Sequence, residues 1–176
     1  IDRLARPKSP PATADKLVRR LFLDVVGLPP TLEEQSEFQA VYSNESPERA
    51  VEVFLNDLFG RKEFGEKWAR HWLDVARYAD SNGSDFNLTY PEAWRYRNYV
   101  IKALNDDLPY DQFLLEQIAG DLLPYDTLEQ RNQQLVATTF LMVGPKMLTE
   151  RDKEKMRLDI ADEQLDTIGR ATMGLT

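Results

Sequence analysis

The chain contains no cysteine. That excludes a disulfide, a thiolate metal site, a cysteine nucleophile and covalent haem within these residues. Histidine is almost absent: His71 is the only one, so a two-histidine metal site cannot form. No apolar run approaches the about 20 residues of a membrane helix, so no membrane insertion is expected. No segment sustains the period-2 alternation of β-branched residues that marks a strand. No G-x-G-x-x-G, P-loop, G-x-S-x-G or H-E-x-x-H motif occurs. A basic surface is missing too. The 22 Lys and Arg against 30 Asp and Glu leave a net charge of −8, which argues against nucleic acid as a partner.

What remains is 176 residues of ordinary apolar content, enough for one domain with a core. The charge is uneven. Residues 1–20 hold six Lys or Arg and two Asp, a net of +4, so the remainder stands near −12. Residues 1–12, with Pro7, Pro10 and Pro11, read as an arm or linker, and residues 13–176 as a single helical domain. The chain begins at Ile1 rather than Met, and is expected to be a piece of a longer protein.

Caps and stops divide the helical part. Thr13 opens a helix to about Val26, stopped by Gly27 and Pro29-Pro30. Thr31-Leu32-Glu33-Glu34 is a capping box. Ser46-Pro47 opens a third helix. A fourth runs from about Lys62 to Ala79, and Asp80 to Tyr90 reads as a loop. Further helices follow Pro91, Pro109 and Thr127, and the last begins near Glu150 with Leu158, Ala161, Leu165 and Ile168 on one face. The expected fold is all-α, with about seven to eight helices joined by short Pro/Gly-marked connections.

The fourth helix carries two of the three tryptophans and the one histidine. Phe64, Trp68, Trp72, Val75 and Ala79 form an apolar stripe, and His71 falls within it. This places Trp68 and Trp72 in the core and makes His71 a structural, hydrogen-bonded residue. The competing reading is catalytic: His71, Asp74 and Tyr78 share a helical edge, and a His–Asp pair can orient a ring for general-base work or metal ligation. Asp80, Asn82, Asp85 and Asn87 offer hard oxygen ligands in a loop. The glycine at the fourth position and the missing Glu at the twelfth show that it is not an EF-hand. Asp159, Asp162, Glu163 and Asp166 form an acidic stripe on the last helix, a candidate for a divalent ion or a basic partner, although Arg170 can pair with Asp166. In Trp94-Arg95-Tyr96-Arg97-Asn98-Tyr99 aromatics alternate with arginines, as in surfaces that stack on bases or sugars. Helical spacing puts Trp94, Arg97, Ile101 and Leu104 together.

Several runs carry a resemblance. They are Leu17–Thr31 (LVRRLFLDVVGLPPT), Trp68–Ser81 (WARHWLDVARYADS), Trp94–Ile101 (WRYRNYVI), Pro109–Phe113 (PYDQF) and Glu116–Pro124 (EQIAGDLLP). Over roughly residues 15–176 the chain resembles the planctomycete cytochrome-c-associated domain of unknown function. The resemblance implies a large, multidomain, extracytoplasmic protein, periplasmic or at the cell surface, in which a c-type cytochrome domain often precedes this one. Gly174-Leu175-Thr176 is similar to a family run usually followed by Cys-x-x-Cys-His. The family has no established catalytic residue to carry over.

Three functions are therefore open. The first is a scaffold or interaction module that positions a haem- or metal-bearing segment beyond Thr176, with neighbouring domains of the same polypeptide as partners. The second is part of an enzyme of hydrolytic type, using His71, Asp74 and the Asp80–Asn87 loop, with its remaining active-site groups supplied by residues beyond Thr176. The third is a carbohydrate-binding surface built on Trp94 and nearby tyrosines. No cofactor is expected in these residues themselves; haem c or a metal belongs to the full-length protein.

Overall fold

Eight α-helices occupy the residues that the computed structural model describes, 12–83, 87–146 and 150–174. They are α1 (Ala14–Val25), α2 (Leu32–Asn44), α3 (Pro47–Phe59), α4 (Lys62–Val75), α5 (Trp94–Asn105), α6 (Tyr110–Ala119), α7 (Leu128–Ala137) and α8 (Lys153–Met173). Short 3-10 turns follow α6 and α7. Among the described residues there is no strand, only one antiparallel bridge between Ser81 and Thr89. The fold is all-α, as the punctuation of the sequence predicts. The basic arm, Asp85 and Thr176 lie outside the described residues.

The chain divides into two compact units, residues 1–64 and 65–176, and the division falls inside α4. The first unit is built on α1, α2 and α3. Their buried faces bring Val18, Phe22, Phe38, Phe54 and Leu58 together. Phe38 meets Phe54 edge-on at 5.2 Å, a favoured aromatic geometry. The capping box forms as expected: the Thr31 hydroxyl accepts from Glu34 N–H at 3.2 Å, and Thr31 N–H donates to Glu34 Oε2 at 2.6 Å. The other oxygen of Glu34 accepts from Arg61 at 2.7 Å. Ser46 caps α3 with Pro47 at its first turn. Thr13 sits at the start of α1 but makes no side-chain cap bond.

In the second unit the core is set by α5, α6 and α7 around the indole of Trp72. Phe113 meets the indole edge-on at 4.9 Å and Phe140 stacks on it at 5.4 Å. Its N–H donates to the Tyr96 hydroxyl at 2.9 Å and to Gln117 Oε1 at 3.1 Å. Tyr99 donates to Glu116 Oε2 at 2.8 Å. Burial pushes the phenols of Tyr96 and Tyr99 up, and the Glu116 carboxylate raises Tyr99 further. Both therefore act as neutral donors inside the core.

The apolar rows of three helices do not mark their buried faces. α4 buries Gly65 and Ala69 beside Trp72, and Ala76 just past its end, one residue round from the predicted stripe. Trp68 is 41% exposed and Val75 is also exposed. α5 buries Tyr96, Tyr99, Val100 and Ala103, while Trp94 and Arg97 face solvent. On α8, Leu158, Ala161 and Leu165 are exposed, and Ile168 and Ala171 pack on the core. On α4 apolar weight marks the large residues, whereas close packing selects the small ones. A Cβ on Gly65 would stand 2.5 Å from the Ile101 carbonyl oxygen, so α4 and α5 touch backbone to backbone.

Two outcomes follow. Gly65→Ala should cost about 1–3 kcal/mol through overpacking, measured by urea unfolding. The second concerns acid. Burial alone would raise the Glu34 carboxyl, but the Thr31 N–H and the Arg61 guanidinium outweigh it and hold the group below its ordinary 4.5. A lowered carboxyl contributes stability that is present above the unfolded value and lost as pH falls through the folded one. Glu34→Gln should therefore cost about 1–3 kcal/mol at pH 7, and the gap should close below about pH 4.5 in unfolding curves.

Candidate functional site

Helical spacing alone sets His71, Asp74 and Tyr78 on one edge, but the chain turns before that edge is complete. α4 ends at Val75. Arg77 takes a φ of +57°, and the Arg77 and Tyr78 N–H groups close back onto the Asp74 and Leu73 carbonyls at 3.1 and 2.9 Å. This is a Schellman stop made with arginine in place of glycine. It redirects Tyr78, whose hydroxyl donates to Asp80 Oδ1 at 2.7 Å. Burial together with that carboxylate pushes the Tyr78 phenol up to about 12. The phenol therefore stays protonated near neutral pH and acts as a hydrogen-bond donor, not as a base.

His71 is exposed and its ring lies 5.4 Å from that of Trp68. The expected core histidine is thus a surface residue, because the buried line runs through Ala69 and Trp72 instead. Asp74 is exposed as well.

Asn82 is buried and its oxygen is committed to structure. Oδ1 accepts from Leu88 N–H at 2.8 Å, and Nδ2 donates to the Lys146 carbonyl at 3.1 Å. The acidic stripe of α8 is divided among cations. Asp159 pairs with Lys155 and Asp166 with Arg170, both at 3.0 Å, while Asp162 is exposed. Among the described residues no three His, Asp or Glu groups are placed to hold a metal ion.

Glu163, the fourth member of the stripe, does something its spacing does not reveal. Its Oε1 accepts from Arg77 and its Oε2 from Lys146. The Lys146 side chain is only 1% exposed. Arg77 also donates to the Thr167 hydroxyl, and Thr167 in turn donates to the Glu163 carbonyl at 2.9 Å. Gly144 makes room for this cluster: a Cβ there would collide with Glu163 Oε1 and crowd Arg77. Two cations share one carboxylate, and among the described residues the buried Arg77 Nε has no hydrogen-bond partner. The Gly144-Pro145 pair was legible as a helix stop, but nothing in the sequence ties Lys146 to α8.

Lys146 also lines a cavity of about 390 Å³ between the start of α5 and the turn after α7, with Tyr90, Ala93, Arg95, Thr139 and Val143. A second, shallower hollow of about 250 Å³ lies beside exposed Trp94, bordered by Asn98, Asn132 and Gln133. Neither is lined by His71, Asp74, Tyr78 or Asp80.

Asn82→Ala should leave a buried carbonyl and N–H unpaired and cost about 1–3 kcal/mol. His71→Ala should change stability by less than about 0.5 kcal/mol, as exposed positions do. Denaturant unfolding of both variants checks the contrast. No curated protein and no solved structure matches the chain. A family model does match, over residues 2–176, and its description reads PSCyt2, protein of unknown function (DUF1549). The chain belongs to the PSCyt2 family.

Proposed function

We propose that the chain is a non-catalytic helical interaction module of a larger extracytoplasmic polypeptide. In this reading it holds neighbouring segments of that polypeptide, including a haem- or metal-bearing one beyond residue 176. The observation that carries the reading is the outer face of α8. Leu158 is 63% exposed, Leu165 68% and Met173 66%. Leu158 and Leu165 are seven residues apart and share one side of the helix. An apolar row of this kind on a 21-residue helix fits a partner helix or domain surface. The resemblance to a multidomain family supplies the occupant: the adjoining part of the same chain.

A catalytic reading draws less support, because His71 and Asp74 stand in solvent and line neither cavity. The residues present do not fit covalent haem, since there is no cysteine to bond it. A covalently bound haem would therefore be held by another segment. One specific feature favours carbohydrate as a second ligand class. Exposed Trp94 borders a hollow with the amides of Asn98, Asn132 and Gln133, the pairing of ring face and hydrogen-bonding groups that sugars use.

The test compares this chain with a longer polypeptide extending past residue 176. Amide exchange along α8 should slow in the longer protein, and Leu158→Asp with Leu165→Asp should abolish the slowing. Equal exchange in the two proteins would contradict the reading. Titration with oligosaccharides, followed by tryptophan fluorescence and compared with Trp94→Ala, checks the second ligand class.

A further inference from the structure

Asn82 is tied through both its main chain and its side chain. Its N–H donates to the Leu88 carbonyl at 3.0 Å, and its carbonyl accepts from Lys146 N–H at 3.1 Å. The side chain repeats the pattern. Oδ1 accepts from Leu88 N–H at 2.8 Å, and Nδ2 donates to the Lys146 carbonyl at 3.1 Å. One residue, only 1% exposed, thus joins two segments far apart in sequence.

The next residue is Gly83, and the chain holds no other Asn-Gly pair. Glycine has no side chain to hinder its own nitrogen, so this pair is the least obstructed for ring closure onto an asparagine amide. Gly83 is exposed and takes a φ of +58°. Among the described residues its N–H has no hydrogen-bond partner. The reacting groups are therefore adjacent, and the bonds that fix the Asn82 amide keep them apart. Ring closure turns that amide toward Gly83 N, so Leu88 N–H and the Lys146 carbonyl must first let go.

We propose that Asn82-Gly83 is a deamidation site that the native fold keeps shut and that, once converted, cannot be tied again. In the opened chain Gly83 N attacks Asn82 Cγ. The N–Cγ bond forms, the Cγ–Nδ2 bond breaks, and the amide nitrogen leaves as ammonia with the Gly83 proton. Water then opens the cyclic imide at either carbonyl, giving aspartate or isoaspartate. An ionised aspartate only accepts hydrogen bonds. It sets a carboxylate oxygen against the Lys146 carbonyl, to which the amide had donated. Isoaspartate lengthens the main chain by one carbon and moves the residue's own N–H and carbonyl out of register. Either product turns a transient opening into a lasting one.

The test follows the chain by peptide mass spectrometry at mildly alkaline pH, in native buffer and in urea above its unfolding midpoint. Conversion at Asn82 should run at least about tenfold faster in urea, where the ties are gone. In urea it should also outpace Asn98 and Asn132, which are followed by Tyr99 and Gln133, and Gly83→Ala should slow it toward their rate. Chain converted in urea and then refolded should exchange the Leu88 and Lys146 amides at least about tenfold faster than unconverted chain treated alike. Asn82→Asp should do the same without the chemical step. Failure of the converted chain to refold where the unconverted one succeeds would mark the same loss more strongly. Equal conversion in native buffer and urea, faster conversion of Asn98 or Asn132 in urea, or unchanged Lys146 exchange in a refolded converted chain would each overturn the proposal.

Discussion

The second unit is organised around one carboxylate. Glu163 accepts from Arg77, just past the end of α4, and from Lys146, in the segment after α7. It thereby ties three parts of the chain that are far apart in sequence. Several local oddities become intelligible through it. Arg77 adopts a left-handed backbone that costs a non-glycine residue about 1 kcal/mol, and the guanidinium it aims at Glu163 and Thr167 offsets that cost. Gly144 lacks a side chain where the carboxylate sits. α8 is fastened through Glu163, Thr167 and Ile168, so its leucines are left outside. Taking three charges from water is expensive, and such a cluster specifies one arrangement more than it adds stability.

Much of the architecture was readable because helix ends are written in short-range chemistry. The Thr31 box, Ser46-Pro47 and Thr127 act where the sequence places them. The end of α4 was not readable. The pattern carries it to Ala79, because the stop is made by Arg77, with no glycine or proline to announce it. The buried faces of α4 and α5 were misjudged by about one residue. Side-chain size marks hydrophobic weight, but Gly65 and Ala69 are buried by the nearness of another backbone, and that is a tertiary fact.

The candidate residues were legible in type more than in place. His71 and Asp74 drew attention as the one His–Asp pair, yet both face solvent. Asn82 reads as a loop ligand and is instead a buried tie between Leu88 and Lys146. Glu163 was visible only as one carboxylate in an acidic row. Its three neighbours on that row behave as surface charges do, and spacing gives no means of telling them apart. Lys146 follows a turn signal and nothing local marks it as buried.

These features give the second unit two contrasting surfaces. α8 presents leucines at helical spacing to solvent, whereas the cavity that Lys146 helps to line is small and walled mostly by apolar groups. Both lie on elements that Glu163 ties together through Arg77 and Lys146. A double-mutant cycle on Lys146→Met and Glu163→Gln, read by equilibrium unfolding, tests that link. Each single change should destabilise by about 3–5 kcal/mol, because it strands a buried group, and the double variant should cost clearly less than the sum. Single costs below about 0.5 kcal/mol that simply add would show that the carboxylate is an ordinary surface partner and would contradict the account.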